Sequence, residues 1–356
     1  MLEPEITDLS LFESEQEAVD YYFKWYRFHG YPVVTLDGYD PRKELERVKA
    51  SKLRIGSDGM VPQSMVGCGF LWAYFPHWVK VRTPSSPSLY DAWLDDETFR
   101  QLMRKTWRYC SKYKTECGHW HSNRVRQLAK VYCAKQAPSN FRPTVAKLLM
   151  DTYGRGGAVY DPCGGWGGRM MGFLASDCTR YTCCEPSTLS AKGLRELAET
   201  FAYVGKRTEV NCIGAEDFEP ERGAYDMALT SPPYFDTERY AEEPTQSCVR
   251  FPEYDQWLHG FLVPMVEHVY DALRDGGVFL LNIANVPTAK ELESDALCAA
   301  AHAGFEHVDT LTLVLSSIAG KGIKGEPIFV LAKGECDIER GADPAGEGRL
   351  FDPDRI

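Results

Sequence analysis

From about residue 140 onward, short apolar segments alternate with longer amphipathic ones. The apolar segments predict strands at 158–161, 180–184, 209–213, 225–230, 277–283, 308–315 and 327–333. The amphipathic segments predict helices at 143–152, 167–175, 188–203, 254–273 and 288–303. Alternating strands and helices are typical of an α/β fold with a mostly parallel, doubly wound sheet. Because no helix separates the last two strands, we expect a terminal antiparallel hairpin in this seven-stranded sheet.

The first 136 residues follow a different pattern. Helical periodicity covers 15–29, 95–113 and 123–132, and the apolar run at 66–81 predicts a buried strand or other core segment. We therefore expect a mostly helical N-terminal accessory domain over residues 1–136 and an α/β domain over residues 137–335. Residues 336–356 are acidic and glycine-rich, and we expect a flexible tail there.

Composition narrows the class of protein. The chain has 356 residues, of which 44% are hydrophobic and 26% are charged, and this mix excludes disordered, collagen-like and coiled-coil proteins. Its apolar runs fall far short of the ~20 residues that a membrane span requires. The twelve cysteines are scattered and the first residues are acidic, so we expect reduced thiols, no secretory signal and a cytoplasmic location.

Charge is unevenly distributed along the chain. The net charge is −11, yet residues 104–155 hold twelve Lys and Arg against two acids, so this segment is +10 and the remainder is −21. Aromatic residues are interleaved with the basic ones, as a phosphate backbone and unstacked bases would favour. A solvated basic helix face with inward aromatics is the alternative. The candidate nucleic-acid contacts are Arg124, Arg126 and Lys130, with Arg239 and Tyr240 in the polar segment 235–253.

A glycine-rich turn follows the first predicted strand of the α/β domain, in the run Asp161-Pro162-Cys163-Gly164-Gly165-Trp166-Gly167-Gly168-Arg169. Glycines at such a turn let the backbone approach a ligand closely. The spacing is not G-x-G-x-x-G, and an acid at the strand end would repel a pyrophosphate, so the turn disfavours a dinucleotide.

Acidic residues also follow the next two predicted strands. Glu185 is placed to accept both hydroxyl hydrogens of a ribose, and Glu216 and Asp217 to accept from an adenine amino group, with Phe218 covering the ring. Three strand-end acids suit a neutral adenosine joined to a cationic sulfonium. The alternative is that they cap helix N-termini, which favour Asp and Glu.

The segment Thr230-Ser231-Pro232-Pro233-Tyr234 directly follows an apolar strand. Consecutive prolines restrict the backbone and predict a rigid loop at the carboxyl edge of the sheet, where open α/β folds bind ligands. An exocyclic base amine is a poor nucleophile, and the Ser231 hydroxyl and Pro232 carbonyl are suited to accept its two hydrogens. Tyr234 is suited to stack on a base removed from its helix. An ordinary Pro-Pro turn with a surface tyrosine is the alternative.

Residues 139–335 resemble the S-adenosylmethionine-dependent methyltransferases. The Asp-Pro-x-x-Gly-x-Gly turn and the Ser-Pro-Pro-Tyr motif resemble those of the DNA amino-methyltransferases. In that family a Phe-x-Pro element, here Phe141-Arg142-Pro143, contacts the methionine part of the cofactor. Gly168 stands where the family often has Thr or Ser, and Arg169 or Arg142 is a substitute partner for the methionine carboxylate.

This resemblance implies S-adenosyl-L-methionine as cofactor and a Rossmann-like methyltransferase sheet. It assigns cofactor binding to Phe141, Arg142, Pro143, Asp161, Pro162, Cys163, Gly164, Gly165, Gly167, Arg169, Glu185, Glu216, Asp217, Phe218 and Thr230. Catalysis falls to Ser231, Pro232, Pro233 and Tyr234. The implied partner is double-stranded DNA with a flipped base, in a bacterial or phage-type host cell with a restriction-modification system as the typical setting.

Serine at position 231 resembles the cytosine-N4 type, whereas Asp or Asn is commoner in the adenine-N6 type. The absence of cysteine between Cys212 and Cys248 disfavours carbon-5 cytosine chemistry. An RNA or other amine methyltransferase and a noncatalytic nucleic-acid-binding module stay open as alternatives. We expect no metal, because the loose Cys and His cluster at 110–133 matches no common zinc pattern, and no membrane partner. By elimination residues 1–136 are the candidate for target recognition.

Overall fold

A computed structural model describes residues 3–83, 86–112, 118–133, 139–315 and 324–336. The chain divides into two compact units. The first comprises Met1–Tyr39, Pro76–Ser139 and Glu238–Ala241, and the second comprises Asp40–Phe75, Asn140–Thr237 and Glu242–Ile356. Residues 40–75 therefore group with the sheet, although the sequence pattern assigned them to the N-terminal region. The predicted tail lies outside the described residues beyond position 336.

The second unit is built on one sheet, which has eight strands within the described part of the chain. They are β1 (Met60–Val61), β2 (Ala158–Asp161), β3 (Arg180–Cys184), β4 (Arg207–Asn211), β5 (Tyr225–Thr230), β6 (Leu273–Asn282), β7 (Glu306–Leu315) and β8 (Lys324–Ala332). The strand order is β1-β7-β8-β6-β5-β2-β3-β4. Only β8 runs antiparallel to its neighbours β6 and β7 among these strands. The predicted mostly parallel sheet with a terminal hairpin is confirmed, and the two-residue β1 adds an edge strand.

The strand order creates a topological switch point. From β2 the chain winds through β3 to β4 on one side, then returns to place β5 against the other side of β2. Because β2, β3, β4 and β5 are parallel, the loops that follow them leave the sheet at the same edge. Ligands of open α/β sheets bind in the crevice at this edge. The fold therefore brings the glycine-rich turn and the Ser-Pro-Pro-Tyr loop to one place.

Helices cover the sheet. The second unit contains α2 (Pro41–Lys49), α3 (Cys68–Leu71), α7 (Pro143–Leu149), α8 (Gly168–Ala175), α9 (Thr188–Thr200), α10 (Ser247–Arg250), α11 (Tyr254–Trp257), α12 (Val263–Ala272) and α13 (Leu292–Ala303). The apolar faces of α12 and α13 pack with Phe279, Leu281 and Trp257 in one buried cluster. The apolar run at 66–81 is largely buried, as predicted, but it forms short helical turns and no strand.

The described part of the first unit is mostly helical. Its helices are α1 (Glu15–His29), α4 (Leu89–Leu94), α5 (Asp96–Lys112) and α6 (Ser122–Tyr132). Ser14 caps α1 by accepting from the Glu17 amide. Tyr22 stacks on Trp120 with ring centroids 3.6 Å apart, so aromatic packing forms the core of this unit. None of the helices in the described ranges is both long and apolar enough to cross a membrane.

Candidate active site

The glycine-rich turn after β2 depends on close backbone approaches. Gly165 and Gly167 have φ of +58° and +73°, in the left-handed region that favours glycine. A Cβ at Gly168 would lie 1.9 Å from the carbonyl oxygen of Phe141. Glycine at 168, the departure from the family pattern, is therefore required because the Phe141 backbone occupies the space of a side chain. The same contact brings the Phe-x-Pro element against the turn.

Asp161 organises this turn from inside the protein. Its Oδ2 accepts from Arg169 Nε at 2.7 Å and from the Tyr181 hydroxyl at 2.5 Å. Its Oδ1 accepts from the Thr230 hydroxyl at 3.1 Å and the Cys163 amide at 3.2 Å. The side chain of Asp161 is fully buried and holds the turn and the end of β5 together.

The two arginines proposed for a methionine carboxylate are placed differently. Arg169 is 5% exposed. Burial acts to lower the pKa of its guanidinium, and the adjacent Asp161 carboxylate outweighs this effect and raises it. Arg142 is only half-buried and donates to Gln63 Oε1 at 2.9 Å and to the Asn140 carbonyl at 2.6 Å. Arg142 is therefore the better placed of the two to reach a ligand carboxylate.

Glu185 follows β3 and joins that strand to the turn. Its Oε2 accepts from the Gly165 amide and its Oε1 from the Ser187 amide, each at 2.9 Å. Burial raises the pKa of Glu185 to about 7, against the opposing effect of the two amides. The carboxylate thus lies beside the Gly165 backbone, at the strand end where the sequence predicted ribose recognition.

The acids after β4 are held by an arginine that the sequence did not indicate. Arg250 of α10 donates to Glu216 Oε1 at 3.1 Å and pairs with both oxygens of Asp217. Glu216 Oε2 is buried and has no hydrogen-bond partner in the described part of the chain. Burial raises the pKa of Glu216. The ring of Phe218 lies 6.3 Å from that of Tyr160, beside the buried cluster. An unsatisfied buried acceptor at this edge is what a ligand amino group would satisfy.

The Ser-Pro-Pro-Tyr loop begins where β5 ends. The Ser231 hydroxyl donates to the Tyr234 hydroxyl oxygen at 3.4 Å. Tyr234 Oη lies 3.3 Å from the Asn282 carbonyl oxygen and 3.5 Å from Glu326 Oε2, both of which can accept its proton. Thr230, one residue before Ser231, is the residue bound to Asp161. The motif is therefore connected directly to the glycine-rich turn.

Phe235, immediately after the motif, has φ of +55°, an unfavourable conformation for a non-glycine residue. Its buried ring lies edge-on to Tyr254 and Trp257, with centroid distances of 5.4 and 5.9 Å. These contacts stabilise the strained backbone. Such strain is common at functional sites, and here it sets the direction in which the chain leaves Tyr234.

The candidate DNA contacts lie in the first unit, and most have internal partners. Arg126 is only 8% exposed, so the prediction that it contacts phosphate is corrected: its side chain is packed inside the unit. The Arg124 guanidinium lies 4.2 Å from the ring centroid of Tyr109, and the Lys130 ammonium lies 4.3 Å from that of Trp78. These cation–π contacts favour the alternative, in which the basic stretch supports its own helices.

The remaining predicted contacts of this unit are also engaged. The backbone of Arg239 pairs with Arg82, and the Tyr240 hydroxyl donates to the Glu238 carboxylate. Trp120, one of the interleaved aromatics, is fully buried and therefore has no face for a base. Of the basic residues in the stretch, Lys114 and Lys135 lie outside the described residues. Within the described ranges, no group of three or more His, Cys, Asp and Glu side chains is arranged to hold a metal ion.

No family model matches the chain, and no curated protein matches it significantly. Solved structures do. One is a geranyl diphosphate methyltransferase with geranyl diphosphate and sinefungin, at 15% identity and a TM-score of 0.35. The match covers 53% of this chain and 65% of that protein, so this chain spans just under two thirds of its length. The Streptomyces coelicolor A3(2) geranyl diphosphate C-methyltransferase, with Mg²⁺, geranyl diphosphate and S-adenosyl-L-homocysteine, is 13% identical with a TM-score of 0.36 (53% and 78% covered).

A Pyrococcus horikoshii protein described provisionally as an RNA methyltransferase is 17% identical with a TM-score of 0.37 (54% and 81% covered). Because these TM-scores are below 0.5, we take neither substrate nor activity from the similarities. The strand order itself, mostly parallel with one antiparallel strand inserted near an edge, is that of the doubly wound, Rossmann-like α/β sheet that the sequence predicted.

Proposed function

We propose that this chain is an S-adenosylmethionine-dependent methyltransferase that methylates an exocyclic amine of a flipped DNA base, with cytosine N4 preferred to adenine N6. The observation that carries the proposal is the 3.1 Å hydrogen bond from Thr230 to Asp161. It links the residue before Ser231 to the glycine-rich turn after β2. A methyl donor and a base amine would then meet at one edge of the sheet.

The residues at this edge suit S-adenosylmethionine. Glu185 offers carboxylate oxygens for ribose hydroxyls beside the Gly165 backbone. Glu216 Oε2 offers an unsatisfied buried acceptor, as an adenine amino group requires. Arg142 is available to the methionine carboxylate at the half-buried start of α7. When bound, the cofactor supplies a methyl group already activated by a sulfonium, so positioning is the main task left to the protein.

The Ser231 hydroxyl is oriented to accept. It directs its own proton to Tyr234, which leaves its lone pairs for an N–H of the base amine. The Pro232 carbonyl is the proposed acceptor for the second hydrogen. Holding both hydrogens draws the amine nitrogen away from planarity and frees its lone pair for attack on the methyl carbon. Tyr234 and the strained turn at Phe235 shape the side of the loop that receives the base.

Methylation of a neutral amine releases one proton. The hydroxyls of Ser231 and Tyr234 lead from the proposed base position to the Glu326 carboxylate, with steps of 3.4 and 3.5 Å. Passing a proton along these oxygens would leave it on a carboxylate away from the methyl donor. Methyltransferases with Asp in place of Ser231 have a carboxylate there, which can take up the proton itself. A neutral serine hydroxyl is a weaker base and must pass the proton on.

The second candidate substrate is an RNA base or another amine, which would meet the same acceptors. The basic residues of the first unit have internal partners and therefore do not favour DNA over this second candidate. A transfer assay with methyl-labelled cofactor and separate DNA, RNA and protein acceptors tests the choice. We expect label in DNA. Label in RNA alone would replace the DNA assignment, and label in protein alone would overturn the proposal of a base substrate.

A further inference from the structure

The segment 242–250 crosses the ends of β3 and β4. The Glu243 carboxylate accepts from the amide and hydroxyl of Thr188, each at 3.0 Å. The Thr245 hydroxyl donates to the Pro186 carbonyl at 3.1 Å, next to Glu185. At the other end of the segment, Arg250 binds the two acids that follow β4. The sequence pattern placed this segment with the substrate, whereas its contacts place it over the proposed adenosine site.

Gln246 lies between these two anchored ends, and the residue is only 6% exposed. Its main chain is engaged, since its amide donates to the Glu243 carbonyl and its carbonyl accepts from the Arg250 amide. Its side-chain Nε2, however, is buried without a hydrogen-bond partner among the residues that the structure describes. A buried amide donor is nearly always satisfied in a native protein, so this donor calls for a ligand acceptor.

Glu216 presents the complementary case at the same edge. It is 9% exposed, and its Oε2 is a buried acceptor that nothing in the described ranges satisfies. Gly214 accommodates this carboxylate, because a Cβ there would lie 2.4 Å from Oε2. Gln246 Nε2 is thus an unsatisfied donor and Glu216 Oε2 an unsatisfied acceptor, and the two atoms do not bond each other. A ligand edge that carries an acceptor beside a donor would satisfy both.

We propose that Gln246 is a specificity-determining residue for the adenine of the cofactor. Its Nε2 donates to a ring nitrogen, while Glu216 Oε2 accepts from the adjacent amino group. Adenine carries such an amino donor beside a ring-nitrogen acceptor. Hypoxanthine carries an oxygen acceptor and a ring N–H instead, so the same pair would reject it. The inference rests on the proposed use of S-adenosylmethionine and adds a residue that no motif indicated.

Calorimetric titration with S-adenosylhomocysteine and S-inosylhomocysteine tests this assignment. The wild-type chain should prefer the adenosyl compound. Gln246→Met keeps the length of the side chain but removes the donor, and should weaken adenosyl binding about tenfold, the equivalent of ~1.4 kcal/mol for one hydrogen bond. In this variant the ratio of the affinity for S-adenosylhomocysteine to that for S-inosylhomocysteine should also fall. Gln256→Met, the same change at an exposed position of α11, should alter neither affinity.

Thermal unfolding with each variant separates a binding defect from a folding defect. If Gln246→Met is unfolded, Gln246→Glu removes the donor with less change in shape, and the same loss of adenosyl affinity is expected. Wild-type affinity and wild-type base preference in a folded Gln246 variant would overturn the inference. If the wild-type chain itself bound neither compound, the proposed cofactor would fail instead, so the two failures are distinguishable.

Discussion

The Ser231 Oγ lies 3.4 Å from Tyr234 Oη, and the hydroxyl of Ser231 is the donor. Together the two residues orient the Ser231 hydroxyl. The Tyr234 hydroxyl oxygen accepts this hydrogen bond, and its own proton is within reach of the Asn282 carbonyl and the Glu326 carboxylate. The serine oxygen is thereby left as an acceptor at the end of β5, where the proposed base amine must be held.

Ser231→Ala should therefore lower turnover without releasing the cofactor. Removing one preorganised hydrogen-bond partner of the reacting group is expected to reduce kcat about 100-fold. Single-turnover methyl transfer and titration with S-adenosylhomocysteine measure the two effects separately. Ser111→Ala, on a helix of the first unit, is the matched control and should leave both unchanged. Full turnover by Ser231→Ala would remove the residue from the mechanism.

Asp161→Asn should destabilise the fold strongly. The substitution leaves the buried Arg169 guanidinium without its carboxylate, and breaking a buried ion pair costs roughly 3–5 kcal/mol. Urea unfolding followed by circular dichroism measures the change. Asp271→Asn, which breaks the exposed pair with Arg222, should cost under about 1 kcal/mol. Equal losses in the two variants would contradict the organising function given to Asp161.

Glu185 should make stability depend on pH. Burial raises its pKa from the ordinary value of 4.5 to about 7, so between these pH values the folded chain binds a proton that the unfolded chain has released. Stability then falls as pH rises through this window, by a few kcal/mol at most for this group. Urea unfolding at pH 5 and at pH 8 measures this effect. The free energy of unfolding of wild type minus that of Glu185→Gln should be smaller at pH 8 than at pH 5. Glu199→Gln, at an exposed position of α9, keeps Glu185 and should follow the wild-type dependence of stability on pH.

The first unit offers a contrast between two neighbouring arginines. Because Arg126 is buried and Arg124 is partly exposed, Arg126→Ala should lower the unfolding temperature and leave the salt dependence of DNA binding unchanged. Arg124→Ala should reduce the slope of log affinity against log salt by about one if this residue contacts phosphate. A reduced slope in a fully stable Arg126→Ala variant would restore Arg126 as a DNA contact.

Local patterns predicted the elements of the α/β unit well. Strand periodicity located β2, β3 and β5, and the turn chemistry indicated the two loops of the candidate site. Local patterns cannot show long-range contacts, and for this reason they missed the pairing of Arg250 with Asp217 and the inward side chain of Gln246. A two-residue strand such as β1 has too few positions to show alternation.

Burial within the first unit was also hidden from the sequence. Arg126 lies on the inward face of α6, and charge alone suggested a solvent-facing residue. Trp120 likewise packs on Tyr22, a residue almost 100 positions earlier. Charge and aromatic content describe which side chains are present, whereas the partner helix decides which of them remain accessible.

Nucleoside analysis tests the central claim most directly. DNA would be incubated with the chain and S-adenosylmethionine, digested to nucleosides and analysed by mass spectrometry against methylated standards. The account predicts N4-methylcytosine, with the amount greatly reduced for Ser231→Ala. Methylation confined to carbon 5 of cytosine, or DNA left unmethylated by a chain that binds the cofactor, would contradict it.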